Sequence, residues 1–163
     1  LTVLYCPGEK TVYVDLDAYA ALRAQFPLGA DHALALLVGE AYGEHVQQVL
    51  GVFEQISALR NADATAAALL EKRADMQQAC YGAMWAKTAG LEPLYDNAAV
   101  VAALTDVERR RQAVLPSAAA PGVIPELLAP ASLAGKKAWF DVGYAIPAGG
   151  NCGLDKIEAS GDL

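Results

Sequence analysis

The stretch from Leu34 to Gly51, reading LALLVGEAYGEHVQQVLG, constrains the fold more than any other. Leu34, Ala35, Leu36, Leu37 and Val38 crowd its first half. The apolar series continues through Ala41, Val46, Val49, Leu50 and Phe53. A helix apolar round most of its circumference must be surrounded by other elements. Asp31 is its expected N-cap, and Gly51 is expected to loosen the far end.

Two carboxylates interrupt this run. Glu40 and Glu44 lie four residues apart on one face, with roughly 5–6 Å between Cβ atoms. Like charges repel at that spacing, and burial raises the cost. The pair therefore needs a cation, a basic side chain, a shared proton or an opening to water. His45 points about 100° away round the helix and does not face the same spot. Lys72, Arg73 and His45 are the candidate partners for such carboxylates, and His32 reads as a surface or capping residue.

At 163 residues the chain is long enough for one domain with a real core. A net charge of −7 argues against nucleic acid and anionic membrane surfaces as partners. No apolar run reaches the roughly 18 residues of a membrane span, and there is no signal peptide. The chain opens mid-pattern, on LTVLYC without a Met, so the expectation is a piece of a longer precursor.

Residues 1–16 predict a β-hairpin, with strands on either side of Pro7-Gly8-Glu9-Lys10. Residues 18–26 predict a short amphipathic helix with Tyr19, Leu22 and Phe26 inward, ended by Pro27 and Gly29. A loop or helix break is expected over 57–63. Residues 64–88 predict a long helix in which Gly82 permits close approach. Another helix is expected over 96–114, capped by Asp96, with the charge run Glu108-Arg109-Arg110-Arg111 as a solvated face; a partner-binding patch is the alternative. Residues 115–131 hold four prolines and read as an extended connector. A last helix is expected over 132–145 from Ser132, with Trp139 and Phe140 in the core. The tail after Cys152 is expected to fray. The fold class is α+β and mostly helical: an N-terminal β-hairpin packed on a bundle of about four to five helices.

Four stretches resemble one family in order. VGEAYGEHVQQVLG is similar to AHExGHHVQxLLG, the active helix of the neutral zinc metallopeptidases, a membrane-anchored or secreted group. Gly43, His45, Val46, Gln47, Leu50 and Gly51 match. YCPGEKTVYVDLDAY is similar to YCPxDxxxYLDLxFF. EKRADMQQACYGAMWA is similar to RLELQADCFAGVWA, with Gln77, Cys80, Trp85 and Ala86 in common. SLAGKKAWFDVGY with PAGGNC resembles SxxQRxxWFxxGFxxGDxxxC, sharing Trp139, Phe140, Gly143 and Cys152. The resemblance implies one zincin-like domain over 1–163, with a strand walling a substrate cleft beside the central helix.

The chemical positions depart from that pattern. Glu40 and Glu44 stand where the resemblance puts the two zinc-binding His, Ala41 where it puts the general-base Glu, Asp75 where it puts the third ligand, and Ala79 where it puts the Asp that supports the site. H-E-x-x-H works because two imidazoles four apart face one zinc while the Glu activates its water. Losing a general base costs about 10²–10⁴-fold in rate. Carboxylates also shift preference from zinc to harder cations. The resemblance leaves His45 as a supporting residue and implies an upstream membrane anchor, in a segment absent from this chain.

Cys6, Cys80 and Cys152 fit no zinc ribbon or C-x-x-C redox spacing. They read either as buried thiols or as one disulfide plus one thiol in an oxidising compartment. The resemblance puts Cys at all three positions and so favours a disulfide; three pairings remain open.

The function expected is a catalytically inactive metallopeptidase-like domain, acting as an extracytoplasmic (periplasmic, cell-envelope or secreted) binding or scaffolding module. A protein or peptide partner is expected, and neither zinc nor another cofactor. The alternative is a peptidase or cation-binding protein using Glu40, Glu44 and Asp75 to hold Ca²⁺, Mg²⁺ or Mn²⁺.

Overall fold

The computed structural model describes residues 2–91, 94–114 and 131–153. Strands β1 (Val3–Cys6) and β2 (Thr11–Val14) form an antiparallel hairpin in the register Val3↔Val14 to Cys6↔Thr11. Six α-helices stand among the described residues. They are α1 (Leu16–Gln25), α2 (Ala30–Val49), α3 (Val52–Ala62), α4 (Ala64–Thr88), α5 (Ala98–Val114) and α6 (Leu133–Ala145). The class is α+β and mostly helical, as the residue pattern predicts.

Helix α2 is the central rod. It packs along α4 and is flanked by β1, α1 and α5, while α6 lies along α4. Ala30, Ala33 and Leu36 join Leu22 of α1, Ala83 and Ala86 of α4, Val100, Ala103 and Leu104 of α5 and Phe140 of α6 in the main core. The small residues let the helices close. A Cβ on Gly82 would lie 3.2 Å from the backbone of Gly39 and Glu40 on α2. One on Gly143 of α6 would lie 2.2 Å from the Cys80 carbonyl oxygen of α4, so that crossing admits no larger residue.

Several boundaries differ from the sequence expectation. Helix α2 begins at Ala30 with Gly29 at its N-cap, and Asp31 sits in its first turn. There Asp31 accepts a hydrogen bond from the Tyr19 hydroxyl (2.6 Å) and pairs with Arg23 (3.5 Å), which ties α1 to α2. Tertiary partners have taken the side chain that a cap would have used. Residues 57–62 continue α3, and the helix break expected over 57–63 falls at the end of that range, on Asp63. The breaks fall on Gly51, at φ 75°, and on Asp63, whose side chain accepts from the amides of Thr65 and Ala66. Asp96 ends a short 3₁₀ turn (Leu94–Asp96), and Asn97 caps α5 by accepting from the Ala99 amide. Ser132 caps α6 as expected. The expected connector over 115–131, except for Ala131, and the tail from 154 lie outside the described residues.

A disulfide joins Cys80 of α4 to Cys152, with Cα atoms 6.0 Å apart across a sequence separation of 72. Cys6 is a half-buried thiol. Of the three pairings left open by the sequence, this one fixes the chain after α6 onto α4.

Candidate functional site

The two faces of β1 are unlike. Tyr5 is buried and Leu4 is half exposed, while β2 is exposed throughout. The hairpin therefore lies over α2 by its first strand. The Tyr5 hydroxyl meets Nδ1 of His45 at 2.8 Å, their rings edge to face. His45 thus serves as a tie between β1 and α2.

Beside that contact lies a pocket of about 140 Å³. Thr2 and, from β1, Val3 and Leu4 line one wall, Leu37, Glu40, Ala41 and Glu44 of α2 another, and Val107, Glu108 and Arg111 of α5 a third, with Lys136 of α6 completing it. The expected charge run thereby divides. Arg109 and Arg110 stay in solvent and grip Asp106, whereas Glu108 and Arg111 turn to the pocket.

Glu40 of α2 and Asp75 of α4 converge, both nearly buried. Lys136 stands between them, its ammonium 3.0 Å from Glu40 Oε2 and 3.2 Å from Asp75 Oδ1, and only 3% of the residue is exposed. The Tyr95 hydroxyl donates to Glu40 Oε1 at 3.1 Å, and the Ala131 amide donates to Asp75 Oδ2 at 2.8 Å. Three of the four carboxylate oxygens thus accept a hydrogen bond, while Asp75 Oδ1 faces the ammonium as an ion pair without one. Burial alone would depress the Lys136 ammonium, but Glu40 and Asp75 outweigh it and hold the group charged, above the ordinary lysine range. Burial, reinforced by Glu40, pushes the Tyr95 hydroxyl well up.

Glu44 is different. It makes no hydrogen bond or ion pair among the described residues. Burial pushes its carboxyl up to about 7; Arg111 opposes the shift, Glu40 and Asp75 add to it, and Lys136 again opposes. Ala41, at the position of the base, is a buried methyl in the pocket wall, and Ala79 is buried in α4.

The structure thus brings Glu40 and Asp75 together, places Glu44 on the same pocket, and turns His45 away to Tyr5. Of the basic residues, it is Lys136 that stands between Glu40 and Asp75, in place of the expected Lys72, Arg73 or His45. Sequence reasoning missed Lys136. Its signal was present, because Lys136, Trp139, Phe140 and Gly143 recur at i, i+3, i+4 and i+7 and so share one face of α6. A lysine on the face that carries the core aromatics needs a buried counter-charge.

A model of the family described as "Putative neutral zinc metallopeptidase" matches residues 2–153. The chain belongs to this family. The uncharacterized protein Rv2575 of Mycobacterium tuberculosis is similar at 33% identity, over 86% of this chain and 50% of that protein. The uncharacterized protein YpfJ of Escherichia coli K12 is similar at 23% identity, over 86% of this chain and 49% of that protein. The chain spans about half the length of the curated relatives it matches. No solved structure matches it.

The family name implies zinc, and the donors present do not fit it. Positions 40 and 75 offer carboxylates that share the Lys136 ammonium, which occupies the space between them, with Asp75 Oδ1 held only by that ion pair. Position 44 offers a single carboxyl on the same helix face, with no imidazole beside it in the pocket. Among the described residues no three His, Cys, Asp or Glu side chains are grouped to hold a metal ion. No helix among them is long and apolar enough to cross a membrane.

Proposed function

We propose that this domain is a catalytically inactive member of its family, and that it works outside the cytoplasm as a binding or scaffolding module. The observation that carries this reading is the pocket at β1. It keeps the strand, the central helix and the third wall of a peptide cleft, but presents the Ala41 methyl where hydrolysis needs a water-activating carboxylate. A cleft beside a strand edge holds an extended peptide by main-chain pairing without cutting it. The occupant is therefore a protein segment in extended form, laid along Val3–Cys6. The Cys80–Cys152 bridge supports an oxidising compartment.

Metal analysis of protein purified without chelator, together with a screen of peptide substrates and a peptide-binding array, tests the reading. The expected result is captured extended peptides, sub-stoichiometric metal and no turnover. Stoichiometric zinc accompanied by hydrolysis refutes it.

A further inference from the structure

We infer that Lys136 is the cation of this site: its ammonium, delivered by α6, stands in for a metal ion between Glu40 and Asp75 and closes the site to divalent cations. This goes beyond the reading of an inactive cleft, because it names what answers the charge at the former ligand positions and makes a claim about cations, not about peptides.

The charge balance requires such a group. Glu40 is 7% and Asp75 8% exposed, and they come from two different helices. Tyr95 and Ala131 supply a hydroxyl and an amide, which are dipoles and carry no net charge. The two remaining oxygens, Glu40 Oε2 and Asp75 Oδ1, both meet the one nitrogen. Two anions brought together without a cation would have to bind protons or separate the helices. A metal ion answers that demand from solution, whereas Lys136 answers it from within the chain. Like a metal it joins three elements at once, α2, α4 and α6. Unlike a metal it is present at every concentration of every ion.

The arrangement is more than a buried ion pair filling space, because the carboxylates demand charge and not a particular side chain. If the ammonium is removed and room is left, cations from solution should take its place. An engineered void lined by the right groups binds a ligand that fits it.

The test uses Lys136→Ala and the charge-neutral control Glu40→Gln/Asp75→Asn/Lys136→Ala. Thermal unfolding is followed by circular dichroism in chelator, then with ethylammonium, Mg²⁺, Ca²⁺, Mn²⁺ or Zn²⁺, against ethanol and KCl at matched concentration. The unaltered chain should keep its Tm throughout. Lys136→Ala should lose roughly 10 °C and recover at least half of it, saturably, with ethylammonium or a divalent cation but not with ethanol or KCl. The neutral control should not respond. If Lys136→Ala does not fold in chelator, recovery of its native spectrum on refolding with one of those cations supports the inference, and failure with all of them overturns it. Equal responses to ethanol and to cations, or a neutral control that responds like Lys136→Ala, also overturn it. Calorimetric titration of the unaltered chain with Zn²⁺ and Mn²⁺ is a second check. One-to-one binding that Glu40→Gln abolishes would sink the inference, whatever peptide screens show, and absence of such binding leaves Lys136 as the resident cation.

Discussion

The contact between α2 and α4 is polar at two places, and each solves the burial of polar groups differently. Towards the pocket, Glu40 and Asp75 share the single ammonium of Lys136. Two turns further along α2, Gln47 is fully buried and neutral. It donates to the Ala74 carbonyl (2.7 Å) and to Gln77 Oε1 (2.9 Å), and accepts from Gln78 (3.0 Å). Gln77 in turn donates to the Cys152 carbonyl, beside the disulfide. The amide network uses Gln47, Gln77, Cys80 and Cys152, all within the stretches that resemble the family's motifs. The charged cluster sits where the resemblance would put metal ligands. A scaffold can evidently hold its helix crossings by neutral hydrogen bonds and small residues while its chemical positions change. Those positions remain constrained, however, because any charge placed there must be answered.

The comparison breaks most visibly at Lys136. Replacing it with Met preserves volume but leaves two buried carboxylates without a counter-charge, at a cost of about 3–5 kcal/mol in denaturant unfolding. Changing Glu40, Asp75 and Lys136 together to apolar residues of similar size should cost far less, since the favourable pairing merely offsets desolvation. Equal losses for the single and triple variants would mean that packing, not charge, holds this end together.

The neutral end is tested next. Reduction of Cys80–Cys152, or the Cys80→Ser/Cys152→Ser variant, should cost about 2–4 kcal/mol, because the bridge restrains a long loop in the unfolded chain. Gln47→Leu should cost less, about 1–3 kcal/mol, for the Ala74 carbonyl and Gln77 left unsatisfied. The Cys80→Ser/Cys152→Ser and Gln47→Leu losses should be the same at pH 5 and pH 8, since neither change adds or removes an ionising group. A Gln47 variant whose penalty varies with pH would show that the two ends are electrically coupled.

How far the molecule was legible follows the same division. The hairpin, the 64–88 helix and the Ser132 cap are local in origin. Strand alternation, an Asp at position 63 and a Ser before an apolar run specify them without reference to distant residues. The family frame was legible for a related reason: Gly43, Gln77, Cys80, Trp139 and Gly143 are typical in kind and spacing. What failed was long-range competition. Asp31 was assigned to a cap, but Tyr19 and Arg23 claim it. The break expected over 57–63 is present, but only at Asp63, because Val52 and Ile56 bury against Ala74 and carry α3 on to Ala62. The sequence marks Glu40 as a carboxylate in need of a partner, and the bases near it and Asp75 in sequence are the natural candidates. The true partner lies 96 residues beyond Glu40, on a helix whose approach only the folded chain defines. Glu108 and Arg111 were read as solvated for the same reason, since helical spacing gives the angle between neighbours but not which side faces a pocket.

The smallest effect gives the finest test of the charged end. Glu44 shares the pocket with Lys136 but has no partner of its own among the described residues, and its carboxyl is held up at about 7 against an ordinary 4.5. Between those two values the folded chain keeps a proton that the unfolded chain releases. Stability from this group is therefore full below about pH 4.5 and falls as pH rises through 7, then levels off. The ceiling is about 3 kcal/mol, and partial exposure should reduce it to roughly 1–2 kcal/mol. Glu44→Gln removes the proton exchange and should flatten this part of the pH–stability curve, gaining most at pH 8 and least at pH 4.5. The amide cannot charge, so repulsion with Glu40 and Asp75 disappears as well. If instead the variant runs parallel to the unaltered chain across that range, Glu44 is already ionised in the fold. Lys136 would then be balancing three anions, with Arg111 as the second cation of the pocket.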